Sequence, residues 1–431
     1  MKEYVFRDPV HGDIPVRDPT VLALVDAPEM QRLRRIRQLG TSFISYPGAE
    51  HTRFAHSLGV YHLMGRALDL LQARAGVALE PEERALGVCA ALLHDAGHGP
   101  FSHLFERLTG RSHEAWTERI LTSPSTTVHQ VLRDRDPTWP AAIADLLAGR
   151  GGPPLLHDLL SSQLDVDRMD YLLRDSLMCG VSYGRFDLDR LLSCLTAVPG
   201  EGGPRLAVTA KGQGAAESFI LARYFMYWNV YFHKATRAAE VILYGLLRRA
   251  SDLVRAGAAP DPLPGALAAL LAGREPDLAD YLALDEVDVL AAVKAWTRAP
   301  DRTLADLSRR VLERRLLKAL PLRAAPDPDQ LRAVRERVAS LGFPDPEYYV
   351  QVDRADNVAY SYYLSPAAGG AQPIWIASEE RGRLRVEEIS ARSVVLQGIT
   401  ERAVTRHVLF VPAEAREAVL PLVQRQLLFD L

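Results

Sequence analysis

The chain has 431 residues, long enough for a large core plus a smaller appended region, because single cores stop growing at roughly 250 to 300 residues. With 51 Lys and Arg against 54 Asp and Glu, the formal net charge is −3, which excludes a generally cationic nucleic-acid coat or membrane-surface binder and makes any polyanion site local. Cys89, Cys179 and Cys194 are scattered without Cys-x-x-Cys spacing, so neither a disulfide framework nor a thiolate zinc site is expected and a reducing cytoplasm fits. The opening MKEYVFRDPVHG has no apolar h-region, and no apolar run of about 18 residues follows, so neither export nor membrane spanning is expected.

From residue 1 to about 250, apolar residues recur at spacings of three and four, which predicts a mainly α core. A helix starting near Pro28 runs through EMQRLRRIRQLG, with Met30, Leu33 and Ile36 on one face, a basic opposite face and Gly40 as its stop. Two more helices follow, one from Ser57 and one from Pro81, the second with Pro at its start and acids in its first turn. Residues 147 to 154 read as a loop, SSQLDVDRMDYLLRDSL as helix, RLAVTAKG as a short strand and turn, and about Ala215 to Ala250 as one long helix. Residues 251 to 330 read as a helical extension without visible chemistry. Beyond it, 331 to 431 reads as a small α+β region, with strands in YYVQVDRA, PIWIAS, RLRVEEIS and RHVLFVP, a loop at AAGGAQP and a terminal helix AEAREAVLPLVQRQLL.

Eight of the twelve histidines fall in the first 113 residues: His11, His51, His56, His62, His94, His98, His103 and His113. Imidazole and carboxylate together suit divalent first-row metals, and hydrolysis of a phosphate ester uses such an ion to polarise a phosphoryl oxygen and activate water. His94 and Asp95 end an apolar helix, where both side chains emerge beside a polar cleft. As adjacent helical residues they point about 100° apart, so both reach one ion only with partners from other helices. His56 and Asp167 are those partners.

The strings HTRFAHSLGVYH, LLHDAGHGPFSH and QLDVDRMDYLLRDS, in this order on helices, resemble the HD-domain phosphohydrolases. More narrowly, with DPVHG, QRLRRIRQLG, YPGAEHTRFAHSLGV and RYFMYWNVYFHK, the chain resembles the HD-domain deoxynucleotide triphosphohydrolases, including the bacterial dGTPase-like enzymes and the animal enzyme that joins a sterile-alpha-motif domain to this core. The resemblance implies a helical HD core over 1 to 250 and hydrolysis at the α-phosphate, releasing deoxynucleoside and inorganic triphosphate. It implies metal ligands at His56, His94, Asp95 and Asp167 for a divalent ion that the sequence does not identify among Mn, Mg, Fe, Zn, Ni and Co. It places His98, His103 and His113 in the active site, with Glu106 three residues after His103 and positioned to hold that imidazolium.

By the same resemblance, Arg53, Arg168 and Arg223 contact phosphate, for which planar guanidinium groups are suited. Tyr231 packs on the sugar, Gln38, Leu39 and Asp175 surround its 3′ hydroxyl and 2′ carbon, and Tyr171 shares that environment. Asp26, Gln31, Arg34 and Lys211 match a regulatory site for GTP or a deoxynucleotide, although Thr196, Thr209 and Tyr4 replace cationic residues of that site. A homo-oligomer, dimer or tetramer, is the implied assembly. Other readings stay open at this point: an HD enzyme for a ribonucleotide, a guanosine alarmone or a nucleic-acid end, or a nucleotide sensor without catalysis. RLRRIR and RRVLERRLLK are basic runs that read as solvated or subunit faces.

Overall fold

The computed structural model describes residues 3–357, 373–400 and 404–428, and the molecule is mainly α. A hairpin of β1 (Tyr4–Asp8) and β2 (Gly12–Val16) opens the chain. Eleven helices follow: α1 (Pro19–Asp26), α2 (Pro28–Arg32), α3 (Arg53–Ala75), α4 (Pro81–Leu93), α5 (His103–Thr109), α6 (His113–Thr122), α7 (Thr127–Arg135), α8 (Trp139–Leu147), α9 (Pro154–Leu160), α10 (Val166–Met178) and α11 (Leu188–Ser193). Then come β3 (Leu195–Gly200), β4 (Gly203–Thr209), α12 (Gln213–Met226), α13 (Lys234–Arg255), α14 (Gly265–Leu271), α15 (Leu278–Ala283), α16 (Glu286–Trp296) and α17 (Arg302–Leu312). The chain closes with β5 (Lys318–Leu322), α18 (Pro328–Ser340), β6 (Gln351–Asn357), β7 (Trp375–Glu380), β8 (Arg383–Glu388), α19 (Ile389–Arg392), α20 (Val394–Thr400), β9 (Val404–Val411) and α21 (Arg416–Val423).

Local chemistry sets the helix starts that matter for the site. Thr52 accepts the Ala55 amide at the start of α3, a capping box of Glu80 and Glu83 starts α4, and Asp165 accepts the Arg168 amide at the start of α10. Each cap satisfies amides that the first turn leaves without partners. Two expected helices end early. The first stops at Arg35 rather than Gly40, because Ile36 turns extended and Arg37 bridges Thr52. The expected helix from Ala215 to Ala250 is two, α12 and α13, joined by the wider turn Tyr227–Tyr231 and a break at Phe232 and His233. There the crowded aromatic run shifts the ladder to Phe232 N donating to Tyr227 O at 2.8 Å, and the His233 ring accepts the Ala235 amide to start α13.

The four strands expected near the C-terminus form, but in two different sheets. β7 and β8 extend the β3–β4 hairpin, with β7 parallel to β4, while β6 and β9 join β5 in a three-stranded antiparallel sheet. Ile374, Ile376, Ile389 and Leu396 accordingly pack into the first core, around α3, α4 and α10. A second core gathers α13, α14, α16, α17 and the β5–β9–β6 sheet, and Phe101, Leu104 and Phe105 belong to it. Of AAGGAQP, all but Pro373 lies outside the described residues. No helix among the described residues is long and apolar enough to cross a membrane.

Beneath the first core's polar face, Asp170 and Arg174, both fully buried, form a two-bond pair of 2.8 and 2.9 Å. Arg174 also reaches Asp8 at 2.7 Å, and His11 meets Asp170 at 2.6 Å. Buried charges are stable only when so completely paired. Gly59 makes the room: a Cβ there would lie 1.9 Å from Asp170 Oδ1 and 2.5 Å from Arg174 Nη2. We expect Gly59→Ala to lower stability by about 3 kcal/mol or more, read from the urea midpoint; an unchanged midpoint would show that the network shifts freely.

Candidate active site

The first turn of α3 carries His56, the end of α4 delivers His94 and Asp95, and the first turn of α10 supplies Asp167. Nδ1 of His94 faces the Ala91 carbonyl at 2.8 Å and must donate to it, since a carbonyl only accepts. His56 Nδ1 faces Asp170 Oδ2 at 2.7 Å. In both rings the lone pair is thereby left on Nε2. Both Nε2 atoms are buried, and among the described residues neither has a hydrogen-bond partner. Asp167 Oδ1 lies 3.0 Å from the first and 3.7 Å from the second, and Asp95 oxygens lie at 3.8 and 3.3 Å.

Ligand atoms of His56, His94 and Asp95 lie within 4.8 Å of one another. Two orphaned imidazole nitrogens facing two carboxylates fit a divalent cation. The electrostatics agree: burial opposes a charge on His56, but the Asp167 and Asp170 carboxylates outweigh it and push the imidazole up to about 10, an excess of negative charge that either a second proton on Nε2 or a metal ion in its place would balance. This pocket attracts positive charge.

The turn after the HD pair is shaped by close approach. A Cβ on Gly97 would lie 2.2 Å from the Thr117 amide nitrogen, so glycine lets the turn dock on α6, where the Gly97 amide donates to Thr117 Oγ1 at 3.0 Å. The bend expected at Gly99 and Pro100 is completed by Phe101 and Ser102, whose φ of 54° and 50° is unusual for residues with side chains. Ser102 Oγ accepts from Arg53 Nε at 2.9 Å, and Arg53 also pairs with Asp95. His98 Nε2 lies 3.3 Å from Asp95, and its ring stacks on His113 at 3.7 Å. Burial and Arg53 hold His98 well below the usual imidazole range. For His113, burial opposes the charge but its bond to Glu106 prevails and raises it. Glu106 also accepts the His113 amide at 3.0 Å, a pairing the sequence did not suggest. The His103 side chain lies outside what the structure describes; its backbone opens α5.

A cleft of about 650 Å³ leads away from Asp95 and Asp167, and Gln38, Leu39, Arg53, Arg168, Tyr171, Asp175 and Tyr231 all line it. Asp175 is fixed between His51 and the Tyr231 hydroxyl, each at 2.8 Å. Arg223 stands behind this wall, its guanidinium donating to Gln163 at 2.7 Å and lying 5.8 Å from the ring centre of Tyr227, which lines the cleft. On the far side of the cleft, Leu104, Arg107, Val241 and Tyr244 come from α5 and α13.

Residues 251 to 330, read as mute, buttress the site. Tyr281 donates to the Gly97 carbonyl at 2.7 Å and stacks on Trp116 at 3.7 Å. Glu286 holds Arg37 at 2.6 Å, and Asp285 pairs with Arg35. Arg32 is buried and donates to the His98 and Leu284 carbonyls at 2.8 and 3.0 Å. Of the four arginines in RLRRIR, Arg32 is thus taken into the interior and Arg37 is half-buried in an ion pair, while Arg34 and Arg35 stay exposed. Asp26 is exposed at the end of α1, while Gln31 donates to Val25 O and accepts from Arg34, both at 2.8 Å. Lys211 sits on the turn before α12, and no hydrogen bond or ion pair joins it to that segment among the described residues.

A model of the HD domain matches residues 53–175, and one of the HD associated region matches 186–258. The uncharacterized protein YwfO of Bacillus subtilis is 38% identical over 414 residues, covering 96% of this chain and 93% of that one. The chain belongs to the HD-domain phosphohydrolase family. A crystal structure of a phosphohydrolase from Bacteroides thetaiotaomicron superposes with a TM-score of 0.83 at 29% identity, over 95% of this chain and all of that one. Deoxynucleoside triphosphate triphosphohydrolase SAMHD1 of Danio rerio is homologous, 29% identical over 275 residues; the match spans 56% of this chain and 48% of the fish protein. In this HD family member, Asp170 is the position that the sequence reading overlooked. We expect Asp170→Asn to weaken Mn binding about 10- to 100-fold, measured by calorimetry on protein whose near-ultraviolet circular dichroism is unchanged; full affinity in a folded variant would show that His56 needs no such partner.

Proposed function

We propose that the protein hydrolyses deoxynucleoside triphosphates at the α-phosphate, giving deoxynucleoside and inorganic triphosphate. The observation that carries this reading is one continuous cleft: the His56, His94, Asp95 and Asp167 cluster adjoins it, and seven residues matching the phosphate and sugar positions of the homologous triphosphohydrolases line it. A divalent ion held by those four side chains supplies Lewis acidity toward a phosphoryl oxygen and lowers the pKa of water.

The chain's own residues do the rest. Arg53, anchored by Ser102 and Asp95, and Arg168, at the N-terminal turn of α10, present guanidinium groups to the phosphates. Water attacks phosphorus and the bond to the 5′ oxygen breaks, so that oxygen needs a proton. His98 and His113, stacked on each other with Glu106 on His113, are placed to deliver it, and His103 shares that role by its match to the family position. Asp175, fixed by His51 and Tyr231, accepts from the sugar 3′ hydroxyl, and Leu39 with Tyr231 leaves little room for a 2′ hydroxyl. Regulation by a nucleotide at Asp26, Gln31, Arg34 and Lys211 and a dimeric or tetrameric assembly in the cytoplasm belong to the same proposal.

The test is product analysis with each deoxynucleoside triphosphate and with GTP, in Mn or Mg. Deoxynucleoside plus triphosphate is the expected outcome. Asp167→Ala should lose on the order of 10³-fold in rate, about 4 kcal/mol of transition-state stabilisation. Turnover of GTP at an equal rate would refute the sugar reading, and release of orthophosphate would refute attack at the α-phosphate.

A further inference from the structure

A second cleft, of about 640 Å³, lies in the other core, between α17 and the turn Leu341–Pro344. Arg298, Arg302, Arg309 and Arg310 line it, with Asp306 as the one acid among its lining residues. The charges do not cancel. Asp306 accepts from Arg310 Nε at 2.6 Å and from the Tyr349 hydroxyl at 3.0 Å, and Arg310 takes Glu414 as its second partner at 2.8 Å. Arg310 is buried and fully committed.

Among the described residues, Arg298 and Arg302, by contrast, have no carboxylate partner, and the one side-chain bond of Arg309 is to the Thr297 carbonyl at 2.8 Å. Arg302 and Arg309 are seven residues apart on α17, so both side chains project from one face. Arg298 joins them from the turn before that helix. Three guanidinium groups around one concavity repel each other, and each retains donors in a planar fork that suits phosphate oxygens. The opposite wall, Leu341 and Pro344, is apolar and exposed.

We propose that this cleft binds a small ligand bearing a di- or triphosphate group. The three uncompensated cations match the charge of such a group, and the volume admits a nucleotide. The cleft is concave and confined rather than a long basic track, which favours a small anion over a nucleic-acid strand. The site is separate from the catalytic cleft: none of its lining residues lines the other. It does not depend on which nucleotide the catalytic cleft hydrolyses.

The test is calorimetry of inorganic triphosphate and of GTP, each without metal, on the full chain and on an Arg302→Glu/Arg309→Glu variant, with hydrogen exchange as the local readout. Both positions are exposed, so the variant should melt at the wild-type temperature. The expected result is slowed exchange over residues 297–310 and 341–344 in the wild type, an affinity at least about tenfold weaker in the variant, and weakening by salt. Equal affinity for triphosphate and GTP would mean that the phosphates alone are read, and tighter GTP would place the nucleoside on Leu341 and Pro344; both support the site. No binding, protection confined to the catalytic cleft, or unchanged affinity in the variant would overturn it. So would a single-stranded oligonucleotide that outcompetes triphosphate through the same arginines.

Discussion

Asp170, a carboxylate with no exposed surface, holds together parts of the chain that lie far apart in sequence. Its two oxygens meet Arg174 on its own helix, His11 from the N-terminal hairpin and His56 from α3. Burial alone would push its pKa upward, but Arg174 and the histidines hold the carboxyl well below the usual range. It is therefore held charged, and it fixes one proton of His56 on Nδ1, which leaves Nε2 as the nitrogen offered to a cation. The lone pair on Nε2 then faces Asp95 and Asp167. Through this one group the N-terminal hairpin becomes part of the candidate metal centre's support.

The cleft owes its form to the meeting of two cores. Its reactive wall comes from α3, the end of α4 and α10 in the first core, its far wall from α5 and α13 in the second. The strained turn at Phe101 and Ser102 crosses between them, fastened by Glu286, which accepts the Phe101 amide at 3.4 Å, and by the arginine that Ser102 orients. A helical segment without ligands or nucleophiles of its own thus determines where Asp95 and Arg53 sit. Such a support costs buried charge, which Arg32, Arg37 and Glu286 offset by pairing or by donating to carbonyls.

Much of this was legible in the residues. The period of three to four marked the helices of the first half, and the HD pair at the end of an apolar helix marked the His and Asp cluster that could hold a metal. Asp170 was also in view, three residues after Asp167 on one helical face, yet a buried carboxylate and a ligand look alike in sequence. Arg223 has a partner that only the fold reveals, Gln163, which lies 60 positions away. The strands of the last hundred residues were readable by alternation, but their division between two sheets depends on long-range pairing, which local patterning does not encode. In the basic run at 32 to 37, Arg34 and Arg35 do lie on an exposed face, but Asp285 and Glu286, which pair with Arg35 and Arg37 from some 250 positions away, cannot be read locally.

The central claim is that the four side chains presented by α3, α4 and α10 form a single divalent-metal centre organised by Asp170. Anomalous diffraction at the Mn absorption edge, from crystals equilibrated with Mn, tests it most directly. The account predicts one strong peak bonded to His56 Nε2, His94 Nε2, Asp95 and Asp167, with His56 Nδ1 still on Asp170. A peak elsewhere, or His56 turned away from the ion, would contradict it.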